Sequence, residues 1–600
     1  MTYRGGAVGL TRERIIEALT SERALTLQGA PFTVLGAEWA DEFIVLSMKP
    51  GAARKKVPLD EGLEGGRIRW GRELEFGGIV KFVDVDNDRV VVQPLEGAAP
   101  KEGETAWVFL NDFLGPLIEM WQGPMANRAA KALQQSKTDL NAIQEVRPLP
   151  PDFADLRKRQ VEAVQNTAYR CSIVIGPPGT GKSYTIGAIA AYLLRRFPKA
   201  RILVVGPTNV AVDTAILSID DWLQRIGRRD LAAQVKRIGA HFDPRKYVDR
   251  PHLLALGIAE KVNEYLVLEA TEPPKAKIAD YVKWKGRMDA ARQNLSADIE
   301  MTAAAARVVG VTVATAVRWH HSLQNPRFPF VLCDEASQVL GPAAMMMAAI
   351  GAQTIFAGDP QQLSPIARSD SAAVRGALTR TAFDVFAHVR TARLNEQSRM
   401  AQAICHIVGT TFYDGDLLVC QKANRDEEWR KSRSPFFVNG REVPRICFDP
   451  VGEEATFSTR YGGFIRFDSA KLVLAALDEL AGSYVEPKDI VVLTPYRAQV
   501  ALLRSMLRRN HAQVSVSTVH RAQGSERTLV IFDPVDASNS FFNGAEGDRL
   551  INVAISRAKA HVVIPYHAND LKKPAMRQMH GIAAKLWQTA GDYAAPFTFR

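Results

Sequence analysis

The pattern of apolar and polar positions changes once along this chain, near residue 150. Before that point the apolar residues fall in short runs. An amphipathic stretch near Ile15–Leu27 is followed by β-like runs at Phe43–Leu46, Ile79–Val85, Arg89–Val92 and Trp107–Leu110. Asp86-Asn87-Asp88 between two of them has the composition of a hairpin turn. Several short strands at this spacing predict a small β-barrel or curled sheet. Met125–Val146 then reads as a helical stalk, and Pro148, Pro150 and Pro151 close this N-terminal region, 1–150.

From Phe153 onward the pattern alternates between buried strands and helices. Ser172–Ile175 enters a glycine loop and then the helix Ser183–Arg196; Arg201–Val205, Phe330–Cys333 and Thr354–Phe356 are further buried-strand runs. Such alternation predicts a parallel sheet with helices on both faces. It is interrupted at about 240–308 by charged helical sequence broken at Pro273-Pro274, which predicts a helical insertion. A second series begins beyond it. Asp489–Leu493, Val514–Ser517, Leu529–Phe532 and His561–Pro565 alternate with helices such as Ala498–Arg509, whereas residues 421–460 read as irregular, polar connection. The fold class expected is therefore α/β, with two tandem units over 151–365 and 366–600.

Composition alters this picture little. At 600 residues the chain is too long for one core, and a net charge of +11 with a pI near 9.3 suits a polyanionic partner. The five cysteines are scattered with no C-x-x-C pair, against a disulfide framework or zinc module. The N-terminal residues show no apolar signal-type segment and no run reaches membrane-spanning length, so a soluble, intracellular, cytoplasmic protein is expected.

The chemistry begins at Gly176-Pro177-Pro178-Gly179-Thr180-Gly181-Lys182-Ser183, which matches G-x-x-x-x-G-K-[ST] between a predicted strand and a predicted helix. Glycines let the backbone curl so that its N–H groups face phosphates, reinforced by the positive end of the following helix. Lys182 is expected to reach the β- and γ-phosphates of ATP and Ser183 to ligate Mg²⁺. In Val331-Leu332-Cys333-Asp334-Glu335 an apolar strand ends in two carboxylates. Asp334 suits the hydrated Mg²⁺ and Glu335 the attacking water. Alone, such a pair is most often a solvated loop; with the glycine loop the catalytic reading wins. Gln362, in Gly358-Asp359-Pro360-Gln361-Gln362, is placed to sense the γ-phosphate. The second α/β unit has no glycine loop, yet carries Arg399 in Gln397-Ser398-Arg399-Met400 and Arg557 in Ile555-Ser556-Arg557-Ala558-Lys559. Arginines facing a γ-phosphate accelerate its transfer on the order of 10³–10⁵-fold.

This ordered set resembles superfamily 1 helicases, and within them the superfamily 1B group of the nonsense-mediated-decay helicase and senataxin. The resemblance runs from about Leu156 to Lys559. It implies two RecA-like domains, an adenine-reading role for Gln160, and a nucleotide-side role for Glu526. It assigns nucleic-acid contacts to Pro207, Thr208 and Asn209, to Thr312 and Thr315, to Thr494, Pro495 and Tyr496, and to Thr518, His520 and Arg521. It further implies a monomeric motor that moves 5′→3′ on single-stranded DNA or RNA, with a barrel and a helical insertion extending from the first domain. Two departures stand out: Ser398 occupies a position where many relatives have Tyr, and the cysteine- and histidine-rich regulatory domain of the decay helicase is missing. The competing expectation is a P-loop remodelling ATPase acting on a protein partner. Arg399 and Arg557 within one chain favour the motor.

Overall fold

The computed structural model describes residues 10–50, 63–71, 76–84, 89–96, 98–109, 112–138, 141–239, 242–254, 259–274, 277–295, 302, 304–323, 328–438, 440–480, 485–522, 526–539, 542–589 and 597–599. They form two compact units. The first comprises the chain up to 174 with 183–357 and 365–392; the second comprises 175–182, 358–364 and 393–600. The glycine loop and the turn at Gly358–Ser364 thus pack with the second unit.

The first unit opens with a helix, Arg12–Leu27, capped by Thr11, and then a closed six-stranded barrel. Its strands are β1 (Ala30–Ala40), β2 (Phe43–Pro50), β3 (Arg67–Trp70), β4 (Phe76–Asp84), β5 (Arg89–Glu96) and β6 (Thr105–Phe109). They run in the order β1-β2-β5-β4-β3-β6, every pairing antiparallel, and β6 returns to β1. Period-two alternation turns Phe32, Val34, Ile44, Leu46, Met48, Val90, Val92 and Val108 into one buried core. The hydrophobic pattern does not announce β1 or β3. β1 slips register between Val34 and Gly36, which breaks its alternation. β3 is four residues long and half arginine. The turn expected at Asp86-Asn87-Asp88 lies outside the described residues.

The stalk is two helices, Leu114–Gln122 and Met125–Thr138. The second stops eight residues short of the helix expected to reach Val146: beyond it the backbone N–H groups of Ile143 and Gln144 turn to the carbonyl of Ala168. The fully buried Trp121 ties the stalk to the α/β layer, its indole N–H donating to Pro342 O at 3.3 Å.

Seven further strands make the first sheet: β7 (Cys171–Ile175), β8 (Ile202–Gly206), β9 (Val235–Arg237), β10 (Val308–Thr312), β11 (Phe330–Cys333), β12 (Gln353–Gly358) and β13 (Arg390–Arg393). Their order is β13-β7-β12-β11-β8-β10-β9, with parallel pairing of β10 to β8 and β9 and of β11 to β8 and β12. Almost every residue of β7, β8, β10, β11 and β12 is buried, as a sheet covered on both faces requires. Between β9 and β10 lie two helices, Ala259–Glu269 and Ile278–Leu295, on either side of Pro273-Pro274. The second meets the barrel. Tyr281 packs on Phe82 with ring centroids 4.6 Å apart, and Lys285 pairs with Glu64.

The main sheet of the second unit has, among the described residues, five parallel strands in the order Ile446–Pro450, Ala558–Tyr566, Arg527–Phe532, Ile490–Thr494, Ser515–Thr518. The edge strand Ile446–Pro450 corrects the expectation that 421–460 is irregular. Its signal is only Ile446-Cys447-Phe448 between Pro444 and Pro450, and an edge position tolerates such prolines. Two apolar clusters cover the faces of this sheet, one around Ile404, Phe532 and Ile551, the other around Val473, Leu503 and Ile531. The α/β class with two parallel sheets and an N-terminal barrel is therefore the observed architecture.

One buried ion pair holds the edge of the first sheet. Arg237 Nε donates to Asp213 Oδ1 at 2.7 Å, with both side chains at most 2% exposed, and Tyr247 OH donates to the same carboxylate at 2.8 Å. Removing one partner strands a charge in low dielectric. Asp213→Ala is expected to destabilise the first unit by about 3–5 kcal/mol, read as a lowered urea midpoint; an unchanged midpoint would show the pair to be dispensable.

Candidate nucleotide and nucleic-acid sites

In the first unit β11 delivers the carboxylates. Asp334 follows its last residue, is 1% exposed, and donates its N–H to Val205 O at 2.8 Å. The helix Lys182–Arg196 places Ser183 in its first turn, where Ser183 Oγ donates to Asp334 Oδ2 at 3.0 Å. A hydroxyl and a carboxylate brought together at the strand ends are hard oxygen donors that fit Mg²⁺. Glu335, alongside, has the left-handed backbone (φ +50°) that non-glycine residues avoid, and its N–H is tied to Asp334 Oδ1 at 2.8 Å. Strain of this kind persists only where the surroundings fix it, and it clusters at functional sites. Gln160 is buried and accepts from Arg157 N at 3.0 Å, closing a capping box on the helix Lys158–Gln165.

The nucleic-acid candidates of this unit cap two helices that leave neighbouring strands. Thr208 accepts from Ala211 N and starts the helix Asn209–Arg225; Thr312 accepts from Thr315 N and starts Val313–Arg318. Because Thr312 pairs with Gly206 in the β10–β8 register, both caps lie at the carboxyl ends of adjacent strands. Thr312 and Thr315 hydroxyls are 2.9 Å apart. Asn209 Oδ1 is engaged by Arg237, which donates to it at 2.8 Å. Pro207 stands partly exposed beside Thr208.

In the second unit the glycine loop is held from several directions. Gly179 and Gly181 take φ of +75° and +81°, conformations open to glycine at little cost. Lys182 Nζ donates to Gly176 O at 3.0 Å, Thr180 Oγ to Pro177 O at 2.7 Å, and Ser398 N to Gly179 O at 3.0 Å. Pro177 and Pro178 are buried within the loop. Beside it sits Asp359, fully buried, which accepts from Tyr413 OH at 2.6 Å, Gln362 Nε2 at 2.9 Å and Gln361 N at 3.0 Å. Burial raises the Asp359 carboxyl above its ordinary pKa, against the opposing charge of Lys182 and these hydrogen bonds. Asn552 donates to Tyr413 OH and to Gln361 O, each at 2.7 Å.

The arginines converge on the same region. Arg557 donates to Gln362 Oε1 at 3.4 Å. Arg399 donates through Nε to Glu526 at 2.7 Å and through Nη1 to Ser556 O at 3.2 Å. Burial works to raise the pKa of Glu526, but the charge and hydrogen bond of Arg399, with Lys559 and Arg557 nearby, hold it below the usual carboxylate range. Thr494 and Thr518 pair across the last two strands of the sheet; Thr494 and Pro495 are buried, and Thr494 Oγ accepts from Tyr496 N at 3.3 Å. Tyr496 OH donates to Asp536 O. Arg521 is exposed in the turn after Thr518, whereas partial burial and the nearby charge of Arg497 lower the pKa of His520.

Sequence reasoning did not single out Asp359, Tyr413 or Asn552, although Asp359 lies inside a quoted motif. A motif names a segment; which of its side chains meet is a tertiary fact. Tyr413→Phe removes a donor to Asp359 and an acceptor from Asn552 together. A loss of about 1–3 kcal/mol in the unfolding of the second unit is expected, and a change below about 0.5 kcal/mol would mean that the hydroxyl is replaceable by water.

One AAA domain model matches residues 155–265 and 261–370, and a second AAA domain model matches 378–568. The chain is 29% identical over 443 residues to the ATP-dependent helicase NAM7 of Saccharomyces cerevisiae, covering 70% of this chain and 42% of that protein. It is 28% identical over 444 residues to the DNA polymerase alpha-associated DNA helicase A of Schizosaccharomyces pombe, covering 69% of this chain and 64% of the relative. The chain thus spans less than two thirds of either relative. The crystal structure of an arterivirus nonstructural protein 10 (helicase) is similar at a TM-score of 0.39 and 12% identity, over 94% of this chain and 82% of that one. With two tandem AAA domain matches and these relatives, the chain carries a helicase-type domain pair and is similar to superfamily 1B helicases.

Proposed function

We propose that this protein is an ATP-dependent helicase or translocase that moves 5′→3′ along single-stranded nucleic acid. The observation that carries this reading is the meeting, within one chain, of a phosphate-binding loop with Gln362, Arg557, Arg399 and Glu526. A ring ATPase ordinarily takes its arginine from a neighbouring subunit; a chain that supplies its own can work as a monomer. Domain boundaries near residues 150 and 365, with the barrel and insertion as appendages of the first RecA-like domain, fit the same reading.

Each site residue then has a task. The loop from Gly176 to Lys182 binds the phosphates through backbone N–H groups and the Lys182 ammonium. Ser183 and Asp334 are the residues that would hold Mg²⁺, which when bound neutralises charge on the phosphate oxygens. Glu335 orients the attacking water and accepts its proton. Arg557 and Arg399 stabilise charge on the transferred phosphoryl group, and Gln362, already linked to Arg557, reports on the γ-phosphate. Gln160 reads the adenine. Strand grip falls to Pro207, Thr208, Asn209, Thr312, Thr315, Thr494, Pro495, Tyr496, Thr518, His520 and Arg521. Where Thr494 and Pro495 are buried, they act by shaping the turn. Contacts of this kind are to backbone and base faces, so DNA and RNA are both accommodated; one relative is named a DNA helicase.

Single-stranded DNA or RNA is expected to stimulate ATP hydrolysis by at least about tenfold, on the scale of differential binding of one good interaction, and duplexes with a 5′ tail are expected to be unwound in preference to those with a 3′ tail. Turnover indifferent to both oligonucleotides would favour a remodelling ATPase acting on a protein. A reversed tail preference would overturn the polarity alone.

Glu335→Gln is expected to abolish turnover while ATP and strand binding persist. Arg557→Ala is expected to leave ATP binding nearly intact and lower hydrolysis by on the order of 10³-fold. Near-normal turnover in either variant removes that residue from the chemistry.

A further inference from the structure

Outside the main sheet of the second unit, Thr456–Ser458 and Gly463–Ile465 pair as a short antiparallel hairpin. It is held rigidly. A methyl group added at Gly463 would stand 3.1 Å from Ala498 Cβ, so the hairpin lies directly on the first turn of the helix Arg497–Leu507. The Tyr461 hydroxyl is 3.4 Å from Ser505 Oγ on the same helix. Ile465 packs against the apolar cluster around Val473, Leu503 and Ile531. The turn is fixed as well, where Tyr461 N donates to Ser458 Oγ at 3.3 Å.

The strand period of two puts Phe464 on the face opposite Ile465, and Phe457, its partner in register, shares that face. The two rings meet edge to face with centroids 5.8 Å apart, and Phe464 meets Tyr496 in the same way at 6.2 Å. A row of three rings thus runs from Tyr496, assigned above to strand grip, out to Phe457, which is 56% exposed. A single exposed phenylalanine needs no explanation. One that ends a packed aromatic row beginning at a strand residue, on a rigid support, does. Cations accompany the row. Arg460 is exposed at the hairpin turn, its guanidinium 5.4 Å from the Tyr461 ring centroid. Arg497, next to Tyr496 in the chain, is exposed too, and its charge reaches His520. Fixed aromatic rings interleaved with arginines suit a single-stranded nucleic acid, whose bases stack and whose phosphates pair with cations. Because the rings are already ordered, little side-chain entropy is lost when a base arrives.

We propose that this hairpin is a strand-binding element of the second unit, in which Phe457 stacks on a base of single-stranded DNA or RNA and Arg460 meets a phosphate of the same strand. The assignment rests on the translocase reading above and extends its strand contacts to residues outside the motifs, all within the second unit.

The test is binding of the full chain to an oligothymidylate and to an abasic strand of equal length, followed by fluorescence anisotropy across a salt series. Phe457→Ala is expected to weaken the oligothymidylate about tenfold, the scale of one base–aromatic stack. The abasic strand, which has the phosphates but no bases, is expected to bind that variant as it binds the wild type. Phe457→Trp, with a larger ring, is expected to keep or tighten the wild-type affinity. Arg460→Ala is expected to weaken both strands and to make the slope of log affinity against log salt shallower by about 0.7, the value for one single-strand phosphate. Equal loss of both strands in Phe457→Ala would mean that the ring only props the hairpin, and it overturns the stack. A tryptophan variant as weak as the alanine one overturns it too. Unchanged affinity in Phe457→Ala does the same and turns the exposed ring over to a protein partner. An unchanged salt slope in Arg460→Ala overturns the phosphate contact. A wild-type chain that binds neither strand instead defeats the translocase reading itself.

Discussion

A methyl group added at Gly179 would stand 2.6 Å from Arg399 Cβ, and the backbone there sits at φ +75°. No side chain fits, and the loop can therefore lie against the Gln397–Met400 turn through main-chain atoms alone. That approach organises the second unit. It brings Ser398 N to the loop carbonyl, sets Arg399 beside Glu526, and puts Trp429 and Arg433 on the far side of the same turn. Backbone-to-backbone contact is also indifferent to side-chain rotamers.

The same unit shows how a buried carboxylate is kept useful. Asp359 is fully buried, and the nearby ammonium of Lys182 shares its influence with three hydrogen-bond donors. Elsewhere buried acids meet arginine directly, as Asp213 meets Arg237 and Asp570 meets Arg466 at 2.9 Å. A direct ion pair fixes structure, because neither charge can leave without stranding the other. Distributing the donors over Tyr413, Gln362 and Gln361 lets Gln362 reach both Asp359 and Arg557.

How far the chain can be read without coordinates follows from the range of each interaction. Gly176–Ser183 and Val331–Glu335 are local: a strand, a turn and a helix start lie within a dozen residues, so periodicity and glycine spacing reveal them. The Ser183–Asp334 bond could be anticipated because two local motifs shared one ligand. Tyr413 and Asp359 are 54 positions apart and share no ligand-binding signature, so their 2.6 Å bond was invisible. Ile446–Pro450 was lost for a different reason. Its three apolar residues satisfy a strand only when Ala558–Tyr566 is already in place to pair with it. β1 failed at its bulge, where the period of two that identifies a strand is interrupted.

Arg399 and Lys559 both face Glu526, at 2.5 and 3.8 Å, and this arrangement bears on how an arginine can serve two partners. An arginine whose only carboxylate is buried would pay for leaving it with an uncompensated charge. Glu526 is 36% exposed and keeps Lys559 and the field of Arg557 when Arg399 turns away. Water and the second cation together lower the cost of that exchange. Arg557, 4% exposed and bonded to Gln362, is held in one place. Arg399 is thus paired with a part-exposed carboxylate shared with a second cation, and Arg557 with a buried amide.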